Sequence, residues 1–156
     1  MKILLIHPIT SFKRLAEDRI GVAYPTGIGY IGAYLDKEGH DVVILDNNQK
    51  CYPKEKIVSF ITRVNPDIIG IGAMVNAYNQ VMQLSRLIKN TIDVPIILGG
   101  PMSTYCPEIV LKNMDIDVCV LGEGEETIAD LLDRWSSKSN VEGIAYKDEA
   151  NNIIKT

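Results

Sequence analysis

The sequence predicts an α/β domain in which helices cover both faces of a five-stranded parallel sheet, a doubly wound arrangement of the flavodoxin-like or Rossmann-like type. Short apolar runs rich in β-branched residues alternate five times with segments of helical periodicity, which is typical of βαβ units. The runs are nearly all apolar, as expected for strands covered on both faces. With 156 residues, the chain is long enough for one domain with its own core.

The strands and helices follow from these runs in order. The predicted parallel strands are residues 3–6, 42–46, 68–72, 96–98 and 118–121. Thr26 is a predicted N-cap for the first helix, in which Ile28, Ile31 and Leu35 share one face and which ends near Gly39. Later helices are predicted around Ile57, Ile61 and Val64, around Ala77, Val81, Leu84 and Ile88, from Pro107 with Ile109 and Val110, and over Ile128, Leu131, Leu132 and Trp135.

The C-terminal segment has a different pattern. After Asn140, two strand-like runs at residues 143–146 and 153–155 flank the turn-rich segment 148–152, which predicts a β-hairpin. We therefore expect an α/β domain over residues 1–139 and a hairpin or linker over residues 140–156. The abrupt end at Thr156 leads us to expect that the chain is cut from a longer protein.

Charge and composition argue against several classes of partner. The net charge is -4 and the lysines and arginines are scattered, so no basic surface for nucleic acid is expected. No apolar run approaches the roughly 20 residues that cross a bilayer, and we expect a cytoplasmic protein without a membrane partner. Cys51, Cys106 and Cys119 match neither zinc-site nor disulfide spacing, and Cys119 is expected to be a buried apolar residue.

Ligands of open parallel sheets bind at the carboxyl ends of the strands. This rule selects the loops at residues 7–25, 47–51, 73–78, 99–105 and 122–125. The first loop is unusually long, which is typical of a functional segment. Gly99 and Gly100 end the fourth strand and would let a bulky ligand approach the backbone, although a tight turn before a helix explains them equally well.

A second motif suggests a different ligand. Residues 27–32 read GIGYIG, the letters of a dinucleotide fingerprint, and Asp46 follows at a distance suited to a ribose contact. The fingerprint requires its first glycine directly after the strand, whereas about twenty residues intervene here. We therefore expect Gly29 and Gly32 to allow close packing of a helix on the sheet, with dinucleotide binding as an alternative.

The two histidines have different expected roles. His7 ends the first strand at the ligand end of the sheet, where it is a candidate ligand or a residue that orients the loop before Pro8. His40 is expected at the opposite end of the sheet, in a structural role. No catalytic triad of serine, histidine and acid can be assembled from these residues.

Five segments, in order, carry a resemblance to a known family. They are KILLIHP, YPTGIGYIGAYLDKEGHDVVILD, NPDIIGIGAM, VPIILGGPMST and DVCVLGEGEET, which together span nearly the whole chain. In this set the chain resembles the N-terminal cobalamin-binding domain of cobalamin-dependent radical S-adenosylmethionine enzymes. The resemblance implies a Rossmann-like module whose crevice takes the nucleotide tail of cobalamin.

The same resemblance implies the site and its chemistry. Relatives of methionine synthase carry DxHxxG after the first strand, and this chain has LIHPIT there, with neither the aspartate nor the glycine. The radical enzymes typically lack this motif too, so the resemblance implies cobalamin bound base-off with no histidine on cobalt and no protein ligand to the metal. His7→Ala is then expected to leave binding intact, and a bulky residue at Gly100 to abolish it by filling the slot. The implied slot residues are Ile9, Thr10, Ser11, Ala73, Met74, Val75, Asn76, Gly99, Gly100, Pro101, Met102, Gly122, Glu123 and Gly124.

The resemblance also implies a partner outside this chain. Radical S-adenosylmethionine domains bind a 4Fe-4S cluster and S-adenosylmethionine through CxxxCxxC, a spacing that the three cysteines here do not have. The chain alone is therefore not expected to be an enzyme, whereas a parent protein would carry out radical chemistry, typically methyl transfer. The alternatives are a cofactor-free scaffold of the same family and a dinucleotide-binding protein that uses GIGYIG.

Overall fold

The computed structural model describes residues 1–9 and 25–156, which form one seven-stranded sheet with helices on both faces. The strands are β1 Lys2–His7, β2 Asp41–Asp46, β3 Ile68–Gly72, β4 Ile96–Gly99, β5 Val118–Val120, β6 Ile144–Lys147 and β7 Ile153–Lys155. Their order in the sheet is β2-β1-β3-β4-β5-β6-β7, with β1 to β5 parallel and β6 and β7 antiparallel. The predicted doubly wound α/β fold is confirmed.

Seven α-helices lie in the described part of the chain. They are α1 Thr26–Lys37, α2 Asn47–Lys50, α3 Lys54–Val64, α4 Tyr78–Lys89, α5 Pro101–Tyr105, α6 Pro107–Asn113 and α7 Glu125–Asp133. Two 3-10 segments, Val75–Ala77 and Trp135–Asn140, precede α4 and follow α7. The short helices α2 and α5 are not predicted by the sequence, because a single turn carries too few residues to show a helical period.

Three details of the predicted helices are wrong. Ala77, predicted within the third helix, lies in the 3-10 segment that precedes α4. Thr26 is the first residue of α1 rather than its N-cap, because the carbonyl of Pro25 accepts the N–H of Gly29 at 3.0 Å and the helix thus starts one residue earlier. Trp135 lies beyond α7, because Arg134 leaves helical geometry with φ -113° and ψ 29°. Trp135 still packs against the apolar cluster that contains Ile128.

Alternation along the strands builds two cores. Leu4 and Ile6 face α3, α4 and α6, whereas Ile3 and Leu5 face α1 and α7. The predicted hairpin is confirmed, and β6 pairs with β5 so that the hairpin extends the same sheet. None of the described helices is long and apolar enough to cross a membrane.

Strand order places the expected ligand crevice. β1 pairs with β2 on one side and with β3 on the other, so the chain reverses its direction of travel across the sheet at β1. In open α/β sheets, ligands bind at the carboxyl ends of the strands beside such a reversal. The crevice is therefore expected between the loops that follow β1 and β3.

A partly buried contact of Asp117 at the opposite end of the sheet provides a test of the fold. The Oδ2 of Asp117 accepts the backbone N–H of Ile96 at 2.7 Å and a hydrogen bond from Lys89 Nζ at 2.9 Å. We expect Asp117→Ala to lower the free energy of unfolding by about 1 kcal/mol, because the start of β4 loses its partner. Urea denaturation measures the loss of unfolding free energy. The control is Asp93→Ala, because Asp93 is an exposed aspartate near Asp117. An equal loss in both variants would contradict this role.

Candidate functional site

A cleft of about 480 Å³ opens at the carboxyl ends of β1, β3, β4 and β5. It lies on the face of the sheet that α1 and α7 cover, and residues of both helices form its walls. The two helices approach each other at Gly124, where an added Cβ would lie 3.1 Å from Ile31 Cδ1. The volume is within the range of small-molecule sites, roughly 300–1,000 Å³.

Two of the three sheet glycines at the cleft let core side chains pack against the backbone, and the third borders open space. Gly70 and Gly72 of β3 point to the same face, and Gly99 of β4 is the register neighbour of Gly72. An added Cβ at Gly70 would lie 2.7 Å from Leu5 Cδ2, and one at Gly72 would lie 2.7 Å from Ile28 Cγ1. An added Cβ at Gly99 meets nothing within 4 Å, so this glycine borders open space.

The cleft extends inward past the carboxyl ends of the strands. Its floor includes Leu5, Gly70 and Ile97, each two residues before the end of its strand. Two residues of a strand rise about 7 Å, so a planar group could be inserted to this depth between the helices and the sheet. The inner walls are the aliphatic side chains of Ile28, Ile31, Val120 and Ile128.

Hydrogen bonds hold the loops around the cleft together. The N–H of Ala73 donates to the carbonyl of Gly99 at 3.1 Å, and the N–H of Met102 donates to the carbonyl of Ala73 at 3.1 Å. The N–H of Gly122 donates to Thr104 Oγ1 at 3.0 Å. The loops after β3, β4 and β5 therefore form one connected rim, which reduces the ordering cost of binding.

The adjacent glycines have separate roles. Gly100 has φ 86° and ψ -172°, a conformation that is essentially restricted to glycine, and an added Cβ would lie 3.0 Å from the carbonyl oxygen of Ala73. Gly100 is thus a turn residue, and the expectation that a bulky residue there fills the slot is wrong, because it would meet backbone instead. Gly99 is the glycine whose side chain would enter the cleft.

The structure brings most of the predicted slot residues together. Those that line the cleft are Ala73, Met74, Gly99, Gly100, Pro101, Gly122, Glu123 and Gly124. Other predicted residues lie elsewhere: Val75 and Asn76 are exposed in the 3-10 segment, Met102 is buried in the core, and Ile9 lines a separate cavity. Thr10 and Ser11 lie outside the described residues, and the binding roles of all these residues stay predictions.

Sequence reasoning missed the floor and the helical walls. Leu5, Gly70, Ile97, Val120 and residues of α1 and α7 line the cleft, although their pattern indicates only strand and helix. Gly27 also lines the cleft, and an added Cβ there meets nothing within 4 Å.

The dinucleotide alternative does not fit the geometry. GIGYIG lies inside α1, and Gly32 packs close to the sheet as predicted, because its added Cβ would lie 2.9 Å from Ile44 Cδ1. The carboxylate of Asp46 already accepts the N–H of Gln49 at 3.2 Å and contacts His7 Nδ1 at 3.1 Å.

His7 lies at the cleft, and its side chain contacts Asp46 at the end of β2. Its side chain is 17% exposed, lines the cleft, and is held by the Asp46 carboxylate through Nδ1. Among the described residues, no group of three or more His, Cys, Asp or Glu side chains could hold a metal ion. Cys119 is fully buried as predicted, and burial raises the pKa of its thiol to about 11.

Comparison with known sequences places the chain in a protein family. The family model of the B12 binding domain matches residues 15–132. An uncharacterized methyltransferase of Pyrococcus horikoshii is 33% identical over 155 residues, which are 95% of this chain and 33% of that protein. A cytidylyl-2-hydroxyethylphosphonate methyltransferase of Streptomyces wedmorensis is 28% identical over 97% of this chain and 32% of that protein. The chain spans about a third of the length of these relatives.

A solved structure has the same fold. The radical S-adenosylmethionine methyltransferase TsrM of Kitasatospora setae, determined with cobalamin and a 4Fe-4S cluster bound, superposes with a TM-score of 0.82 and 18% identity. The match covers 99% of this chain and 28% of that protein. At this identity the likeness establishes the fold, and it covers the β5–β6–β7 extension as well as the parallel strands.

Proposed function

The chain belongs to the B12 binding domain family, and on this premise we propose that it is the cobalamin-binding module of a radical S-adenosylmethionine enzyme, of methyltransferase type. The observation that carries the proposal is the cleft between the sheet and the pair α1 and α7. It lies beside the strand-order reversal, where ligands of this architecture bind.

The described residues fit cobalamin. Gly99 leaves open space at the sheet face, and the aliphatic walls suit the planar base of the nucleotide tail. At the rim, the connected loops at residues 73–74, 99–101 and 122–124 would hold the rest of the tail through backbone groups. When bound, cobalamin supplies a cobalt centre that carries and transfers a methyl group. The walls of the cleft would keep water from the inserted base.

The proposal includes a base-off cofactor without a histidine ligand. A base inserted into the cleft cannot also coordinate cobalt, so the fit of the cleft supports the base-off form. Residues 5–10, LIHPIT, keep the histidine of DxHxxG as His7 but have neither its aspartate nor its glycine. His7 Nδ1 contacts Asp46 Oδ1 at 3.1 Å, a contact that orients the ring and leaves Nε2 free of partners among the described residues. Because His7 also lines the cleft, the histidine-free part of the proposal needs its own test.

Binding is tested by an anaerobic titration of the chain with hydroxocobalamin, followed by desalting and an absorbance spectrum. We expect retained cobalamin with a base-off spectrum. A colourless protein would overturn the proposal and favour the cofactor-free scaffold of the same family.

The histidine is tested in the same assay with His7→Ala. We expect affinity within about threefold of the parent chain, since a side chain that only packs contributes little to binding. Reduction to cob(II)alamin adds a spectroscopic readout, because a coordinated imidazole nitrogen splits the electron paramagnetic resonance lines. Nitrogen splitting that is present in the parent chain and absent from His7→Ala would contradict the histidine-free form.

The reaction is proposed to require a further domain. Relatives are about three times as long as this chain, and the proposed partner is a C-terminal radical S-adenosylmethionine domain that holds a 4Fe-4S cluster and S-adenosylmethionine. The chain itself would then bind and orient cobalamin, with the open side of the cleft toward that domain.

A further inference from the structure

The inner part of the cleft is built for an apolar group. Leu5, Ile97 and Val120 are at most 4% exposed and line it together with Gly70 and Ile128. These residues offer aliphatic surface and glycine backbone to whatever is inserted. From this lining, and resting on the proposed function, we propose that the chain selects among cobamides by their lower base, binding a dimethylbenzimidazole base and discriminating against adenine.

Polar side chains at the cleft lie nearer its mouth. His7, Thr104 and Glu123 are at or beyond the ends of their strands, above the level of the floor. Two of them already have partners: His7 contacts Asp46, and Thr104 Oγ1 donates to the Gly100 carbonyl at 3.2 Å while it accepts the Gly122 N–H. A polar base in the inner cleft would therefore lie beside aliphatic groups.

The backbone of the floor is occupied by the sheet. Gly70 lies in the central strand β3, in register with Leu5 on one side and with Ile97 on the other. Amides and carbonyls in the middle of a sheet bond to their neighbouring strands. The glycine floor thus removes side-chain bulk without leaving free hydrogen-bonding groups for a base.

The apolar walls and the occupied backbone of the floor favour binding of dimethylbenzimidazole over adenine. Dimethylbenzimidazole presents two methyl groups, which gain from burial against aliphatic walls. Adenine presents an exocyclic amine and two additional ring nitrogens, which lose water on insertion and gain no partner from the floor. Since one unsatisfied group weakens binding by about tenfold or more, we expect the adenine cobamide to bind about 10- to 100-fold more weakly.

The test compares dissociation constants of the intact chain for cobalamin, its adenine counterpart and cobinamide, which lacks the nucleotide. We expect cobalamin to bind most tightly and the adenine cobamide more weakly. Cobinamide should bind as weakly as the adenine cobamide, or more weakly. Equal affinities for cobalamin and the adenine cobamide would overturn the selectivity alone. Failure of all three to bind would instead overturn the proposed function.

A matched pair of variants locates the selectivity in the wall. Val120→Thr places a hydroxyl in the cleft at nearly unchanged volume, and we expect it to narrow the cobalamin-to-adenine ratio by at least threefold. Val118→Thr makes the same change two residues earlier on β5, in a buried position that does not line the cleft. Its ratio should equal that of the parent chain. A ratio that changes equally in both variants, or in neither, would overturn the assignment to the wall.

Discussion

Gly99→Val is expected to reduce cobalamin affinity by about 10- to 100-fold while the domain stays folded. An added Cβ at Gly99 meets nothing within 4 Å and Gly99 lines the cleft, so we expect the valine side chain to enter the cleft. Val also suits the end of a strand. The valine would exclude the inserted base from the cleft. The burial of an apolar group of that size contributes roughly 1.5–3 kcal/mol, so its loss reduces affinity by up to about 100-fold.

Two measurements separate blocked binding from damage to the fold. Equilibrium titration gives the affinity, and urea denaturation gives the free energy of unfolding, which we expect to change by less than about 0.5 kcal/mol. Gly99→Ala should show an intermediate loss of affinity, because a single methyl group blocks less of the cleft. Normal cobalamin binding by Gly99→Val would mean that the cofactor does not enter between the sheet and α1.

Gly100→Ala is expected to have the largest effect on stability, a loss of about 2–4 kcal/mol. The backbone at Gly100 has φ 86° and ψ -172°, which an alanine adopts at a cost of roughly 1–3 kcal/mol. The added Cβ would also lie 3.0 Å from the carbonyl oxygen and 3.3 Å from the nitrogen of Ala73, so the rim has to move. Cobalamin affinity should fall with it.

Gly122→Ala is the matched control for that contact. Gly122 also has a positive φ, 69°, but an added Cβ there meets nothing within 4 Å. We expect a loss of only about 1 kcal/mol, the cost of the left-handed backbone alone. Urea denaturation followed by circular dichroism compares the two variants. Equal losses would show that the contact with Ala73 adds nothing to the backbone strain.

The sequence by itself determined the strands, the longer helices and the end of the sheet at which the cleft opens. Alternation of short β-branched runs with helical stripes predicted all five parallel strands, because burial on both faces leaves a continuous apolar signature in each strand. The carboxyl-end rule then selected the loops at Ala73, Gly99 and Gly122, which the structure joins in one rim. These are properties of local segments, and a period or a turn can be read within one segment.

Only the tertiary structure decided where the cleft lies and which glycine faces it. Gly99 and Gly100 look equivalent in the sequence, yet one borders open space and the other contacts Ala73, because that difference depends on a neighbouring loop from another strand. The gap beneath α1, floored by Gly70, likewise depends on how far a helix stands from the sheet. Spacing between elements is set by packing among residues distant in the chain, which no single segment of the sequence records.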